Sequence, residues 1–114
     1  MIFVIDDSRE MAECIARATK AKVKIFGNAI DAMEALEEGL PDLIFLDILL
    51  DGPDGFTFLN ELTSYSDTMK IPVVIVSSLD FSQSVLDEYG VVGVLNKDTM
   101  VPEDIYNYVE KYAK

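Results

Sequence analysis

The stretch Leu43-Ile44-Phe45-Leu46-Asp47, followed by Ile48-Leu49-Leu50-Asp51-Gly52-Pro53-Asp54-Gly55, decides how this chain is read. Four consecutive apolar residues describe a strand buried on both faces. The run stops at a carboxylate, and a loop rich in Gly, Pro and Asp follows. A charge where a buried strand gives out is either a solvated strand end or a placed functional group. The rest of the chain has to separate these two readings.

Three other segments repeat the pattern. Ile2-Phe3-Val4-Ile5 ends at Asp6-Asp7, Val73-Val74-Ile75-Val76 ends at Ser77-Ser78, and Val91-Val92-Gly93-Val94-Leu95 ends at Asn96-Lys97. Val23-Lys24-Ile25-Phe26 differs, because its lysine and partial alternation suit an edge strand. Helical spacing fills the intervals. Ser8 is the expected N-cap of a first helix with Met11, Ile15 and Ala18 inward, and Cys14 near the core. Asn28 caps a second helix to about Glu38, with Ile30, Met33 and Leu36 inward and Gly39 as its stop. A third helix is expected from about Gly55 to Tyr65, burying Phe58, Leu59 and Leu62. A short fourth is expected from about Ser82 to Tyr89. The fifth starts at Pro102 and turns Ile105, Tyr108, Val109 and Tyr112 inward, leaving Tyr106 off that stripe.

Strand and helix thus alternate five times, which implies a parallel sheet with helices on both faces. With the lysine-bearing strand at an edge, the expected fold is α/β, a flavodoxin-like doubly wound (βα)5 with strand order 2-1-3-4-5. No linker, repeat or low-complexity segment interrupts residues 1–114, so a single domain is expected.

Composition narrows the function. The chain has 114 residues, half of them hydrophobic, enough for a core without metal or disulfide staples. Its 21 acidic residues outnumber nine basic ones, for a net charge of −12. Such a surface repels nucleic acid and anionic membrane, and suits cations or a basic partner face. One cysteine permits no internal disulfide, so a reducing, cytoplasmic location fits. The absence of histidine removes His-based catalysis and His-ligated metal from this chain. No apolar run approaches the ~20 residues of a membrane span.

In a parallel sheet the strand C-termini share one rim, and ligands bind where the strand order reverses. Asp6, Asp7 and Asp47 meet there, with Ser77 and Lys97 beside them. Crowded carboxylates repel, and a divalent cation with oxygen preference, Mg²⁺ or Mn²⁺, relieves the repulsion. A metal, an ammonium and a hydroxyl around one carboxylate suit phosphoryl transfer to it, with Asp47 as acceptor.

In these residues and their spacing the whole chain resembles the receiver domain of bacterial two-component response regulators. The Asp54-Gly55 dipeptide, seven and eight residues past Asp47, also matches. The resemblance implies that a histidine kinase or phosphotransfer protein phosphorylates Asp47. It implies Mg²⁺ held by Asp7, Asp47, the Leu49 carbonyl and, through water, Asp6. It further implies that Lys97 pairs with the phosphoryl group. Ser77 would move toward that group, shifting the face of the fourth helix, fifth strand and fifth helix to alter binding of a downstream target. That face is also where a homodimer would form. The implied role is a signalling switch, not a turnover enzyme, either standing alone or as part of a larger regulator or hybrid kinase.

Several positions depart from the family pattern. Val94 stands where an aromatic switch residue is common. Asp98 replaces the proline that usually follows the lysine, so a trans peptide is expected. Asp51 replaces a common proline, and Pro53 appears two residues later. Leu49 and Leu79 flank the acceptor and cannot orient an attacking water, which implies slow self-dephosphorylation. Two competing functions are a degenerate receiver used only for docking and a Mg²⁺-dependent aspartyl-phosphate phosphatase. The second usually has paired aspartates two apart on the first strand, whereas Asp6 and Asp7 are adjacent.

Overall fold

A computed structural model describes residues 1–48, 50, 54–78, 87 and 89–113. The strands are β1 (Ile2–Ile5), β2 (Val23–Phe26), β3 (Leu43–Leu46), β4 (Val73–Ser77) and β5 (Val91–Asn96). They pair throughout in parallel in the order β2-β1-β3-β4-β5. This is the doubly wound flavodoxin-like order expected from the sequence, with lysine-bearing β2 at an edge. The helices are α1 (Arg9–Thr19), α2 (Ala29–Glu38), α3 (Gly55–Thr63) and α4 (Pro102–Tyr112). The helix expected at 82–89 falls almost entirely outside the described residues.

The continuous apolar runs reflect a sheet with two dry faces. Phe3, Ile5, Ile44, Leu46 and Ile75 pack on one side against Ala29 and Ala32 of α2 and Phe58, Leu59 and Leu62 of α3. Ile2, Val4, Leu43, Phe45, Val74 and Val76 pack on the other against Ala12 and Ile15 of α1 and Ile105 and Val109 of α4. Alternate residues of each strand serve opposite cores, as the period of two requires. Burying a Leu, Ile, Val or Phe side chain stabilises by about 1.5–3 kcal/mol, so both faces contribute.

The helix starts follow local chemistry. Ser8 Oγ accepts from Met11 N–H at 3.3 Å, Asn28 Oδ1 from Asp31 N–H at 2.8 Å, and Asp54 Oδ1 from Thr57 N–H at 3.0 Å. At α4 the Asp104 carboxylate accepts from Val101 N–H at 3.0 Å, and Pro102 opens the helix where no N–H is needed. Helix ends were harder to foresee. Gly39 ends α2 in extended backbone, φ 170°, whereas Lys20 ends α1 in the left-handed region, φ 54°.

Two inward assignments are corrected. Ile30 is exposed, and Ala29 and Ala32 take the buried positions of α2, with Met33 and Leu36 half-buried. Cys14 is exposed, because Ile15 and Ala18 already fill the α1 interface. At the other end of the chain, Gly93 lets the Tyr108 ring lie directly against β5. A Cβ there would overlap Tyr108 Oη and Cζ. All described peptide bonds are trans, that before Asp98 included. Among the described residues no helix is long and apolar enough to cross a membrane.

Candidate functional site: an acidic rim with one lysine

The sheet ladder continues one residue beyond the apolar runs and carries the polar residues with it. Asp6 N–H donates to Phe26 O at 3.0 Å and Asp47 N–H to Ile5 O at 2.9 Å. Lys97 N–H donates to Ser77 O at 3.0 Å. The backbones of Asp6, Asp47 and Lys97 are therefore fixed by the same bonds that hold the strands. The turn after Lys97 is tied by Asn96, whose side-chain oxygen accepts from Asp98 N–H at 2.8 Å. Its carbonyl accepts from Met100 N–H at 2.9 Å.

Lys97 reaches back across the rim. Its Nζ lies 3.0 Å from Asp6 Oδ2 and 3.3 Å from Asp47 Oδ2. Asp6 Oδ1 is held separately by Ser8 N–H at 2.9 Å. Asp6 and Asp47 are almost wholly buried, Ser77 is buried, and Asp7 is exposed. Burial raises the Asp6 pKa, against the opposing pull of Ser8 N–H and Lys97. Burial also pulls Lys97 down, but the Asp6 and Asp47 carboxylates outweigh it, and its pKa is raised. Lys97 is thus held as a cation between two carboxylates.

Asp6, Asp7 and Asp47 each offer a carboxylate oxygen within 4.8 Å of the others. Opposite oxygens of an octahedral Mg²⁺ shell lie about 4.2 Å apart, so small side-chain adjustments bring the three onto one ion. Asp6 Oδ2 is in ion contact with Lys97 yet receives no well-aligned hydrogen bond, although it is buried. An all-oxygen donor set with an under-satisfied anionic atom fits a hard divalent cation. The Leu49 carbonyl lies outside the described residues, as do Asp51, Pro53 and Leu79.

Gly55, half of the Asp54-Gly55 dipeptide, contributes through the backbone. Gly55 N–H donates to Ile48 O at 2.9 Å, closing the loop after β3 onto the start of α3. A Cβ at Gly55 would stand 2.7 Å from Ile48 Cα and 2.9 Å from Asp47 O. Glycine is needed for that approach, and Asp54 beside it caps α3. The signal in the sequence was an N-cap residue followed at once by Gly at a helix start, but its reason is a tertiary contact. Val94 is half-buried against the α2/α3 core.

A family profile described as the response regulator receiver domain matches residues 2–110. The chain belongs to the response regulator receiver domain family. It is 34% identical over 82 residues to the response regulator PleD of Caulobacter vibrioides, a stretch covering 69% of this chain. That stretch spans 18% of PleD's own length, so the likeness concerns one part of that protein. Among solved structures, the receiver domain of NtrX from Brucella abortus superposes with a TM-score of 0.84 at 24% identity, covering 97% of this chain and 96% of that one. The Mn²⁺-bound form of response regulator Rcp1 gives 0.76 at 24% identity, covering 96% and 88%. At these identities the two structures speak for the fold.

Proposed function

We propose that the chain, read as one receiver domain over 1–114, is a phosphoacceptor signalling switch of a two-component system or phosphorelay. The observation that carries this reading is Lys97 Nζ between Asp6 Oδ2 and Asp47 Oδ2, at 3.0 and 3.3 Å, beside exposed Asp7 on the strand-end rim. An Asp47 carboxylate oxygen attacks phosphorus, the bond from phosphorus to a donor histidine nitrogen breaks, and the acyl phosphate stays on Asp47. The donor nitrogen leaves as neutral imidazole after taking a proton from solvent.

Asp6, Asp7 and Asp47, with the Leu49 carbonyl, would hold Mg²⁺ or Mn²⁺, which when bound neutralises charge on the transferring oxygens. Lys97 exchanges its contact with the Asp47 carboxylate for one with the incoming phosphoryl group, and keeps Asp6 as a partner. The acyl phosphate carries about one more negative charge than the carboxylate it replaces, and Lys97 with a bound divalent cation would offset that charge. Ser77, buried at the end of β4, donates its hydroxyl to a phosphoryl oxygen and couples the event to β4 and β5. The readout is then a change on the face of the segment 79–88, β5 and α4, used by a downstream protein or a second copy. A histidine kinase or phosphotransfer protein is the donor, and the cytoplasm is the compartment of such a reaction. In this reading the chain is a signalling switch rather than a turnover enzyme.

The test is acetyl phosphate with Mg²⁺ on the wild type and on Asp47→Asn, read by intact mass. Addition of one phosphoryl group to the wild type alone supports the reading. Labelling of both proteins, or of neither, refutes it. Beryllofluoride with Mg²⁺ provides a spectroscopic version of the same comparison.

A further inference from the structure

The two faces of the sheet differ in charge. On one face α2 and α3 carry five acidic side chains and no lysine or arginine, whereas α1 and α4 on the other carry both signs. Between the C-terminal part of α2 and the end of α3 lies a groove of about 340 Å³. Half-buried Met33 and Leu36 form its apolar floor, and the exposed side chains of Glu37, Glu61, Tyr65 and Asp67 form its rim. Tyr65 and Met69 nearby are 58% and 54% exposed.

The wall beyond α3 is built in advance. Thr68 is buried, its hydroxyl donates to Leu62 O at 2.6 Å, and Met69 N–H donates to Tyr65 O at 2.9 Å. A preformed wall avoids the ordering cost that weakens docking to floppy loops. An exposed aromatic side chain at the rim of an apolar floor is a common anchor of protein interfaces.

We propose that this groove docks a basic amphipathic helix of a partner protein. Apolar side chains at i, i+3 and i+4 would sit on Met33, Leu36 and Tyr65, and flanking Lys or Arg would face Glu37, Glu61 and Asp67. Charge selects this occupant. The charged groups that line it are all carboxylates, which repel phosphates, and a second copy of a chain with net charge −12 is opposed by self-repulsion. The groove is also distant from the acidic rim. Helices in βαβ units run back along the sheet, so the C-terminal ends of α2 and α3 lie at the edge opposite Asp47. A partner docked there leaves Asp6, Asp7 and Asp47 open to a phosphoryl donor, and the interaction does not depend on the phosphoacceptor reading.

The test uses the full ¹⁵N-labelled chain and a helical probe peptide with Leu at i, i+3, i+4 and i+7 and Lys elsewhere. Two control peptides replace Leu by Ser or Lys by Glu. Amide shifts from the Leu/Lys peptide should concentrate at residues 33–37 and 61–69. Tyr65→Ser and Glu61→Lys, both at exposed positions, should each weaken binding about tenfold with unchanged thermal stability. The Ser peptide should bind weakly and the Glu peptide should not bind. Shifts centred on α1 or on the Asp47 rim overturn the proposal, as does equal binding of the Ser peptide, which would mean charge attraction alone. Insensitivity to both variants overturns it too. Shifts at the same residues on concentrating the protein without peptide would make a second copy the occupant.

Discussion

Replacing Gly55 by alanine adds one methyl group at the tightest point of the loop behind the acceptor. The new Cβ would meet Ile48 Cα at 2.7 Å, Ile48 Cδ1 at 2.8 Å and Asp47 O at 2.9 Å. Ordinary contact begins at 3.4 Å, so backbone must move by about 0.7 Å against the steep repulsive wall. The Ile48 methyl can swing aside, but Ile48 Cα and the Asp47 carbonyl shift only by straining the bonds from Asp47 N–H to Ile5 O and from Gly55 N–H to Ile48 O. Overpacking of this kind costs about 1–3 kcal/mol. At about 2.1 cal/mol/K of unfolding entropy per residue, that lowers Tm by roughly 4–12 °C for a chain of this length. Gly27→Ala is the control, since no atom lies within 4 Å of its Cβ. It should be neutral or stabilising by up to about 1 kcal/mol. Calorimetry of both variants measures the first effect. The second is chemical, because the displaced carbonyl belongs to the acceptor. Labelling of Asp47 by acetyl phosphate should slow by about tenfold to a hundredfold in Gly55→Ala. If the two variants melt alike and label alike, the close approach at Gly55 is not what positions Asp47.

Three other outcomes can be measured on the same material. Gly93→Ala should expel the Tyr108 ring from β5 and cost about 1–3 kcal/mol; adding Tyr108→Ala should make the double variant less destabilised than the sum of the two, and simple additivity would show that the ring does not occupy that space. Asp6 has a raised pKa in the fold because of its burial, so its ionised form costs stability at neutral pH. That cost shrinks as pH falls through the folded value and is gone below the unfolded one. Without metal, Asp6→Asn should therefore melt higher than wild type at pH 7, and the gap should close on acidification; added Mg²⁺ should stabilise the wild type more than the variant. A lower Tm for Asp6→Asn in EDTA would be the contrary result. Finally, apolar Leu49 and Leu79 should give phospho-Asp47 a lifetime of many minutes by mass spectrometry, and decay within seconds would count against slow self-dephosphorylation.

Most of the scaffold was readable because its signals are local or periodic. The apolar runs of β1, β3 and β4 mark strands with two dry faces, and Lys24 marks β2 as an edge. Ser8 and Asn28 cap their helices from positions just ahead of each apolar stripe. The meeting of Asp6, Asp7, Asp47 and Lys97 at the strand ends follows from topology, since parallel strands end on one rim. What escaped was decided by neighbours distant in sequence. Spacing points Ile30 inward and composition sets Cys14 near the core, but Ile15 and Ala18 fill one interface and Ala29 and Ala32 the other. With Ala29, Ala32, Met33 and Leu36 facing the sheet, the helical turn carries Ile30 round to the solvent side. Gly55 and Gly93 matter through Ile48 and Tyr108, and nothing adjacent to either glycine in the chain announces those contacts. Lys20 adopts a left-handed cap although glycine is the usual choice there.

The rim bonds through which Asp6, Asp47 and Lys97 are held use main-chain atoms alone: each N–H donates to the last carbonyl of a neighbouring strand. A side chain of similar size at those three positions can therefore be exchanged without removing these ladder bonds. Evolution could strip the chemistry from such a domain, or retune it, while the architecture persists. A shared shape among such proteins then speaks for the scaffold, and whether a given member accepts a phosphoryl group is written in a handful of side chains on its rim.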